Sequence, residues 1–220
     1  SAAVRPFQHQ LNVLARVLGD PVPRFVLADE VGLGKTIEAG LIIRQFLLDD
    51  PNSSVVVSVP ATLQSQWEQE LSTKLLLDKY LSDQRLRVLD HDDLSLVPLE
   101  PPNLLVVDEA HRLTEYGLDS DDFQIACHAT AQTESLLLLT ATPFRGNAPT
   151  FLGLLHLIDP AGNDLEDLEG FTDRLLLREH GGLPLVTTPL VGHLDHALPD
   201  AHACTLEAAR LVRGRVRVRV

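Results

Sequence analysis

Phe25-Val26-Leu27-Ala28-Asp29-Glu30-Val31-Gly32-Leu33-Gly34-Lys35-Thr36-Ile37-Glu38-Ala39-Gly40 decides how the rest of the chain is read. Phe25 to Ala28 is apolar and short enough for a buried strand, a turn with two glycines follows, and Ile37 to Leu48 is apolar at helical spacing. The order is strand, loop, helix. Gly32 and Gly34, on either side of Leu33, allow backbone conformations closed to residues with a Cβ, so successive N–H groups can turn inward on an anion at the helix N-terminus. Lys35 adds a point charge for the β- and γ-phosphates, and the Thr36 hydroxyl suits a magnesium ion. The leading glycine of the usual G-x-x-x-x-G-K-[ST] pattern is absent, its place taken by Asp29.

Downstream, three more apolar runs have strand length. Val55 to Val59 is β-branched and ends at Pro60; Leu104 to Val107 runs into Asp108-Glu109-Ala110-His111; Ser135 to Thr140 runs into Ala141-Thr142-Pro143. Ligands of an open parallel sheet bind at the carboxyl ends of its strands, so the acidic pair arrives where the phosphate loop also arrives. Asp108 is expected to hold the magnesium, and Glu109 to orient and deprotonate an attacking water. The hydroxyls of Thr140 and Thr142 stand where they would bridge the nucleotide to a moving part.

Upstream, Arg5 to Leu18 is an amphipathic helix with Leu11, Leu14, Val17 and Leu18 on one face. Gln8 and Gln10 stand at its start, and an amide side chain, with both donor and acceptor, can read an adenine edge. Ala61 to Leu71 is a helix with Leu63, Trp67 and Leu71 as its apolar stripe, and Thr62 at its N-terminus is a candidate for docking a nucleic-acid phosphate. Leu86 to Leu89 is a short strand before Asp90-His91-Asp92-Asp93 and a Pro-rich link, Phe151 to Ile158 is a helix, and Gly162 to Gly170 is an acidic loop. From His180 onward the pattern loosens. His193, His196, His202 and Cys204 cluster without a zinc spacing, and the arginines at 213, 215, 217 and 219 fall on one face of any strand they form.

Composition narrows the class. A chain of 220 residues, 45% hydrophobic and 22% charged, suits one well-buried α/β domain with an appended segment. No apolar run approaches the ~18 residues of a membrane span, and two distant cysteines imply neither a disulfide framework nor a zinc ribbon, so a reducing, cytoplasmic setting is expected. The net charge of -13 confines any nucleic-acid contact to a local patch. The sequence contains no Met at all and opens on Ser1-Ala2-Ala3, which reads as a piece of a longer protein.

Four segments together carry a resemblance. Ala28 to Gly40, Pro60 with Gln66-Trp67-Glu68, Asp108-Glu109-Ala110-His111 and Thr140-Ala141-Thr142-Pro143 resemble motifs I, Ia, II and III of superfamily 2 helicase-like ATPases. The Asp-Glu-x-Gly-Leu-Gly-Lys-Thr loop is similar to the Swi2/Snf2 group, and its Val31 and Glu38-Ala39-Gly40 resemble the bacterial RapA/HepA branch. The resemblance implies an α/β, RecA-like P-loop lobe over residues 1–190, with a mostly parallel sheet and helices on both faces, followed by a linker or the start of another region over 191–220. It implies ATP and magnesium as ligands, Gln10 rather than Gln8 as the adenine reader, and His111 with Thr140 and Thr142 coupling hydrolysis to movement. It also implies duplex DNA as partner, RNA polymerase or other complex subunits beside it, and a second RecA-like lobe whose arginines complete the ATP site. Nothing after Thr187 is similar to that second lobe, so hydrolysis by this chain alone is expected to be feeble. A nucleotide-switched adaptor and a small-molecule kinase are the competing expectations.

Overall fold

The computed structural model describes residues 6–28, 34–141, 148–181 and 190–191. In chain order the elements are α1 (Gln8–Leu18), β1 (Arg24–Ala28), α2 (Lys35–Asp49), β2 (Val55–Val59), α3 (Gln64–Thr73), α4 (Asp78–Ser82) and β3 (Leu86–Asp90), then β4 (Leu104–Val107), α5 (Asp121–Ala131), β5 (Ser135–Thr140), α6 (Ala148–Ile158), α7 (Leu168–Gly181) and the two-residue β6 (Leu190–Val191). Short 3-10 helices cover Ala61–Leu63, His91–Leu99, Ala110–Thr114 and Leu165–Asp167.

The strands form one sheet in the order β3-β2-β4-β5-β1-β6, and every pairing is parallel. A sheet covered on both faces needs strands apolar at every position. That is what Val55–Val59, Leu104–Val107 and Ser135–Thr140 supply, each buried throughout. Alternate residues serve opposite layers. Phe25, Leu27, Val57, Val106 and Leu137 pack with Val13, Val17, Ile42, Ile43 and Trp67 from α1, α2 and α3. Val26, Val56, Leu105, Leu136 and Leu138 pack with Phe123, Ala126, Ala129, Leu154 and Leu157 from α5 and α6. Phe151, Leu152 and Leu155 of α6 turn a further face to Phe171 and Leu175 of α7. This is the α/β architecture of a RecA-like lobe.

Against the sequence reading, the five strands β1 to β5 stand within a residue of expectation, and the expected helices shift modestly. Three differences have physical causes. The segment from Ala61 does not start as an α-helix: a 3-10 turn occupies Ala61–Leu63, and α3 follows with Leu63 as its N-cap. The expected acidic loop over 162–170 folds instead into the Leu165–Asp167 turn and the start of α7. Asp164 accepts from the Glu166 amide (3.0 Å), and Phe171 and Leu175 bury against α6. α5 gave no apolar stripe to read because its buried face is built from Phe123, Ala126, Ala129 and Thr130, and its start is marked instead by Ser120 accepting from the Phe123 amide. The region holding His193, His196, His202, Cys204 and the four C-terminal arginines lies outside the described residues.

At the edge of the sheet opposite the strand carboxyl ends, Arg24 ties the α5–α6 layer to β1. Its guanidinium donates to the carbonyls of Leu157 (2.7 Å), Ile158 (2.8 Å) and Thr133 (2.7 Å), with longer bonds to Thr130. The C-terminal carbonyls of two helices thus find a donor and a compensating charge in one side chain. Truncation by Arg24→Ala strands several of these acceptors and is expected to cost about 3 kcal/mol in urea unfolding, with Arg24→Lys recovering only part because it lacks the planar fork.

Candidate active site

Gly34 closes the turn between β1 and α2 in the left-handed region, at φ 95° and ψ 31°, and serves as the N-cap of α2 with no side-chain cap. The amides of Ile37 and Glu38 turn back to the Gly34 carbonyl at 2.8 and 3.0 Å. The backbone conformation calls for glycine here. Its φ is one that L side chains avoid, and a Cβ would stand 2.6 Å from Nε2 of Gln10. Gln10 is itself buried, at 3% exposure, with Oε1 accepting from the Phe7 amide at 2.9 Å, whereas Gln8 lies exposed and pairs with Asn12 at 3.3 Å. Of the two glutamines, Gln10 is therefore the one against the loop. Lys35 and Thr36 open α2 and are half-buried; Gly32, Leu33 and Thr142 lie outside the described residues.

Asp108 follows β4 and is 8% exposed. Its amide donates to the Ser58 carbonyl of β2 at 2.9 Å, its Oδ2 accepts from Trp67 Nε1 at 2.8 Å, and its Oδ1 accepts from the Glu109 amide at 2.9 Å. Burial pushes its pKa up; the Trp67 and Glu109 hydrogen bonds pull it back, Glu109's charge pushes it up again, and the Lys35 ammonium is close enough to lower it. A raised carboxylate pKa marks a negative charge short of compensation, which a divalent cation would supply. No group of three or more His, Cys, Asp or Glu side chains among the described residues is arranged to hold a metal. A buried carboxylate short of compensating charge, as Asp108 is, suits magnesium, which keeps most of its waters and takes further ligands from phosphates. The residues present fit that ion.

Glu109 adopts φ 48° and ψ 42°, a left-handed backbone rare for a residue with a Cβ, and caps the Ala110–Thr114 turn. Such a conformation costs on the order of 1 kcal/mol and persists because the surroundings over-determine it. Its Oε2 lies 3.3 Å from His111 Nδ1, and the same nitrogen lies 3.3 Å from Thr140 Oγ1 at the end of β5. The ends of β4 and β5 are thereby linked through His111. Thr62 is exposed on the 3-10 turn after β2, one residue before the N-cap of α3, and so caps nothing in that helix.

Three residues near Asp108 escaped the sequence reading. Trp67 was legible as core and is 2% exposed, but its indole N–H is directed at a carboxylate. Ser58 is fully buried in β2, and its hydroxyl stands 2.8 Å from His91 Nδ1. His91, read as part of a polar stretch, is mostly buried and its Nε2 has no hydrogen-bond partner. The one available signal was a serine interrupting the valines of β2.

A glycine-capped helix start after β1, an acidic pair after β4 and a hydroxyl at the end of β5 share one edge of the parallel sheet. No protein-family model matches the chain. It is 37% identical over 191 residues to the RNA polymerase-associated protein RapA of Stutzerimonas stutzeri (strain A1501), and 37% identical over 198 residues to the protein of the same name from Pseudomonas putida (strain ATCC 47054). Each alignment covers 76% of this chain and 20% of the relative, so the chain spans about a fifth of the length of the curated relatives it matches. Among solved structures, the Sulfolobus solfataricus SWI2/SNF2 ATPase core in complex with dsDNA superposes with TM-score 0.63 at 17% identity, covering 77% of this chain and 39% of that one. The UvsW helicase of bacteriophage T4 gives TM-score 0.51 at 15% identity, over 70% and 57% of the two chains. In sequence the chain thus resembles the RapA proteins over three quarters of its length, and in fold it resembles a SWI2/SNF2 ATPase core.

The geometry carries two expectations. Trp67→Phe removes the donor to Asp108 and, by deleting one of the two fused rings, leaves a cavity at a buried site, and should lower stability by about 2 to 4 kcal/mol in denaturant titration. Burial lowers the His91 pKa from 6.5 to about 4, with the Asp108 backbone and Asp90 working against it. The unfolded chain therefore takes up a proton that the folded chain refuses. Stability is fully present above the higher value and is lost as pH falls toward the lower one. Between about pH 7.5 and 4.5 this amounts to about 2 kcal/mol, so urea midpoints of His91→Asn should fall less steeply with acid than those of the parent.

Proposed function

We propose that residues 1–190 form the N-terminal ATP-binding lobe of a motor that couples ATP hydrolysis to movement on duplex DNA, with 191–220 leading into the next region. The observation that supports this most is the convergence of the β1–α2 turn and the Asp108–Glu109 pair on one sheet edge, near enough for the Lys35 charge to act on Asp108. In this reading Gly32, Leu33, Gly34 and the first amides of α2 cradle the phosphates, and Lys35 neutralises their charge. Thr36 and Asp108 hold magnesium, and Gln10 stands where α1 meets the loop, at the adenine end. Magnesium when bound would draw charge from the phosphate oxygens. Glu109 orients the attacking water and takes its proton, and its αL backbone aims the carboxylate away from the path of β4. His111, touching both Glu109 and Thr140, passes the state of the site to the next strand end and to Thr142.

Thr62, exposed after β2, is offered to a nucleic-acid phosphate, in keeping with the duplex bound to the Sulfolobus core. With a net charge of -13, the lobe by itself should hold DNA weakly and with a shallow salt dependence. The names of its relatives point to RNA polymerase as a partner and to a cytoplasmic setting; no helix among the described residues is long and apolar enough to cross a membrane. Completion of the site needs a second lobe supplying arginines, worth ~10³ to 10⁵ in rate in related phosphoryl-transfer enzymes.

Equilibrium binding of a fluorescent ATP analogue tests the site. Lys35→Ala should weaken it at least about tenfold, a loss of about 1.4 kcal/mol, while Glu109→Gln should bind as the parent does. Equal affinity of parent and Lys35→Ala defeats the assignment. Adding a second lobe in trans with duplex DNA should raise turnover by the parent and leave Glu109→Gln inactive; an adaptor that only switches with nucleotide would gain nothing.

A further inference from the structure

His91 lies outside every role assigned above, yet it sits under the catalytic turn. It follows β3 directly, and β3, β2 and β4 are adjacent in the sheet. Its Nδ1 meets the Ser58 hydroxyl at 2.8 Å, and the carbonyl of that same Ser58 receives the Asp108 amide at 2.9 Å. The Asp108 backbone offers the ring a hydrogen bond, and the charges of His111 and Arg112 act on it, which places it against the turn from Asp108 to Arg112. The ring thus reaches from the outermost strand across β2 to β4. Trp67 and the Glu109 amide fix the Asp108 carboxylate from above, but nothing in that pair fixes the backbone from which it projects. Ser58 does so, and His91 holds Ser58.

We infer that His91 is a positioning residue for the metal-binding carboxylate: through Ser58 it sets the backbone of Asp108, and the magnesium-dependent part of nucleotide binding depends on it. This rests on the reading of the site as one for ATP and magnesium. A partner behind a metal ligand typically matters by about 10- to 100-fold in metal affinity. A residue serving only as filling would affect binding with and without metal alike.

The experiment measures affinity for a fluorescent ATP analogue, with magnesium and with chelator, on this chain and on His91→Ala, His91→Asn, Ser58→Ala and Lys35→Ala. His91→Ala should keep its metal-free affinity within about twofold and lose about tenfold of the enhancement magnesium gives. His91→Asn, whose amide can face the Ser58 hydroxyl from the Nδ1 position, should recover most of it. Ser58→Ala should show the same selective loss, and decides the matter should His91→Ala fail to fold. An unchanged magnesium enhancement in His91→Ala or Ser58→Ala overturns the inference, as does an equal loss with and without metal that His91→Asn does not repair. Lys35→Ala separates the levels: if it leaves nucleotide binding intact, the underlying site is wrong, whereas a normal Lys35 effect beside an inert His91 refutes this inference alone.

Discussion

All strands of the sheet run the same way, and everything else in the lobe follows from that. Parallel strands cannot be joined by tight turns, so each connection crosses a face of the sheet, and both faces become covered. Covering forces the strands to be apolar at both parities, as Val55–Val59 and Leu104–Val107 are. Polar side chains are then admitted mainly at the strand ends, and the carboxyl ends of β1, β2, β4 and β5 share one edge. Ser58 and Lys35 meet Asp108 at that edge, Ser58 through its carbonyl and Lys35 through its charge.

That edge has its own cost. A carboxylate at 8% exposure loses hydration, and its raised pKa records the loss. The offset comes from the indole of α3, the following amide and the lysine of α2, each delivered by a different crossover. None would suffice singly, since a hydrogen bond to a charged group is worth roughly 1.5 to 3 kcal/mol. The left-handed Glu109 belongs to the same economy of space: it turns the chain just after β4 into the Ala110–Thr114 turn, and its carboxylate meets His111.

The strands and the phosphate loop were legible in the sequence because two-sided burial and glycine punctuation are local signals. Residues 55–59 and 104–107 could be read without knowing their neighbours. What was hidden depends on contacts distant in sequence. Trp67 sits on a helical stripe like any core residue, and only its neighbour 41 positions away reveals a hydrogen bond. His91 is surrounded by aspartates and looks solvated until β2 supplies Ser58. α7 was obscured by Asp164, Glu166, Asp167 and Glu169, whose first member turns out to cap a 3-10 turn while Phe171 and Leu175 do the packing. The likeness to helicase-like ATPases rested on four short motifs, three of which fall at strand ends of the sheet.

The strand order also bears on how the chain is made. β1 is synthesised before the other strands of this sheet, yet its neighbours are β5 and β6, and Arg24 pairs in register with Leu136. More than a hundred residues must be synthesised before that pairing exists, and the guanidinium of Arg24 waits for carbonyls at 157 and 158. Until then Phe25 to Ala28 is an apolar ribbon with both edges open, the kind of segment that sticks to other nascent chains. The sheet therefore closes late, by inserting β1 beside strands made well after it, and a nascent chain stopped short of α6 leaves β1 without the layer that buries it.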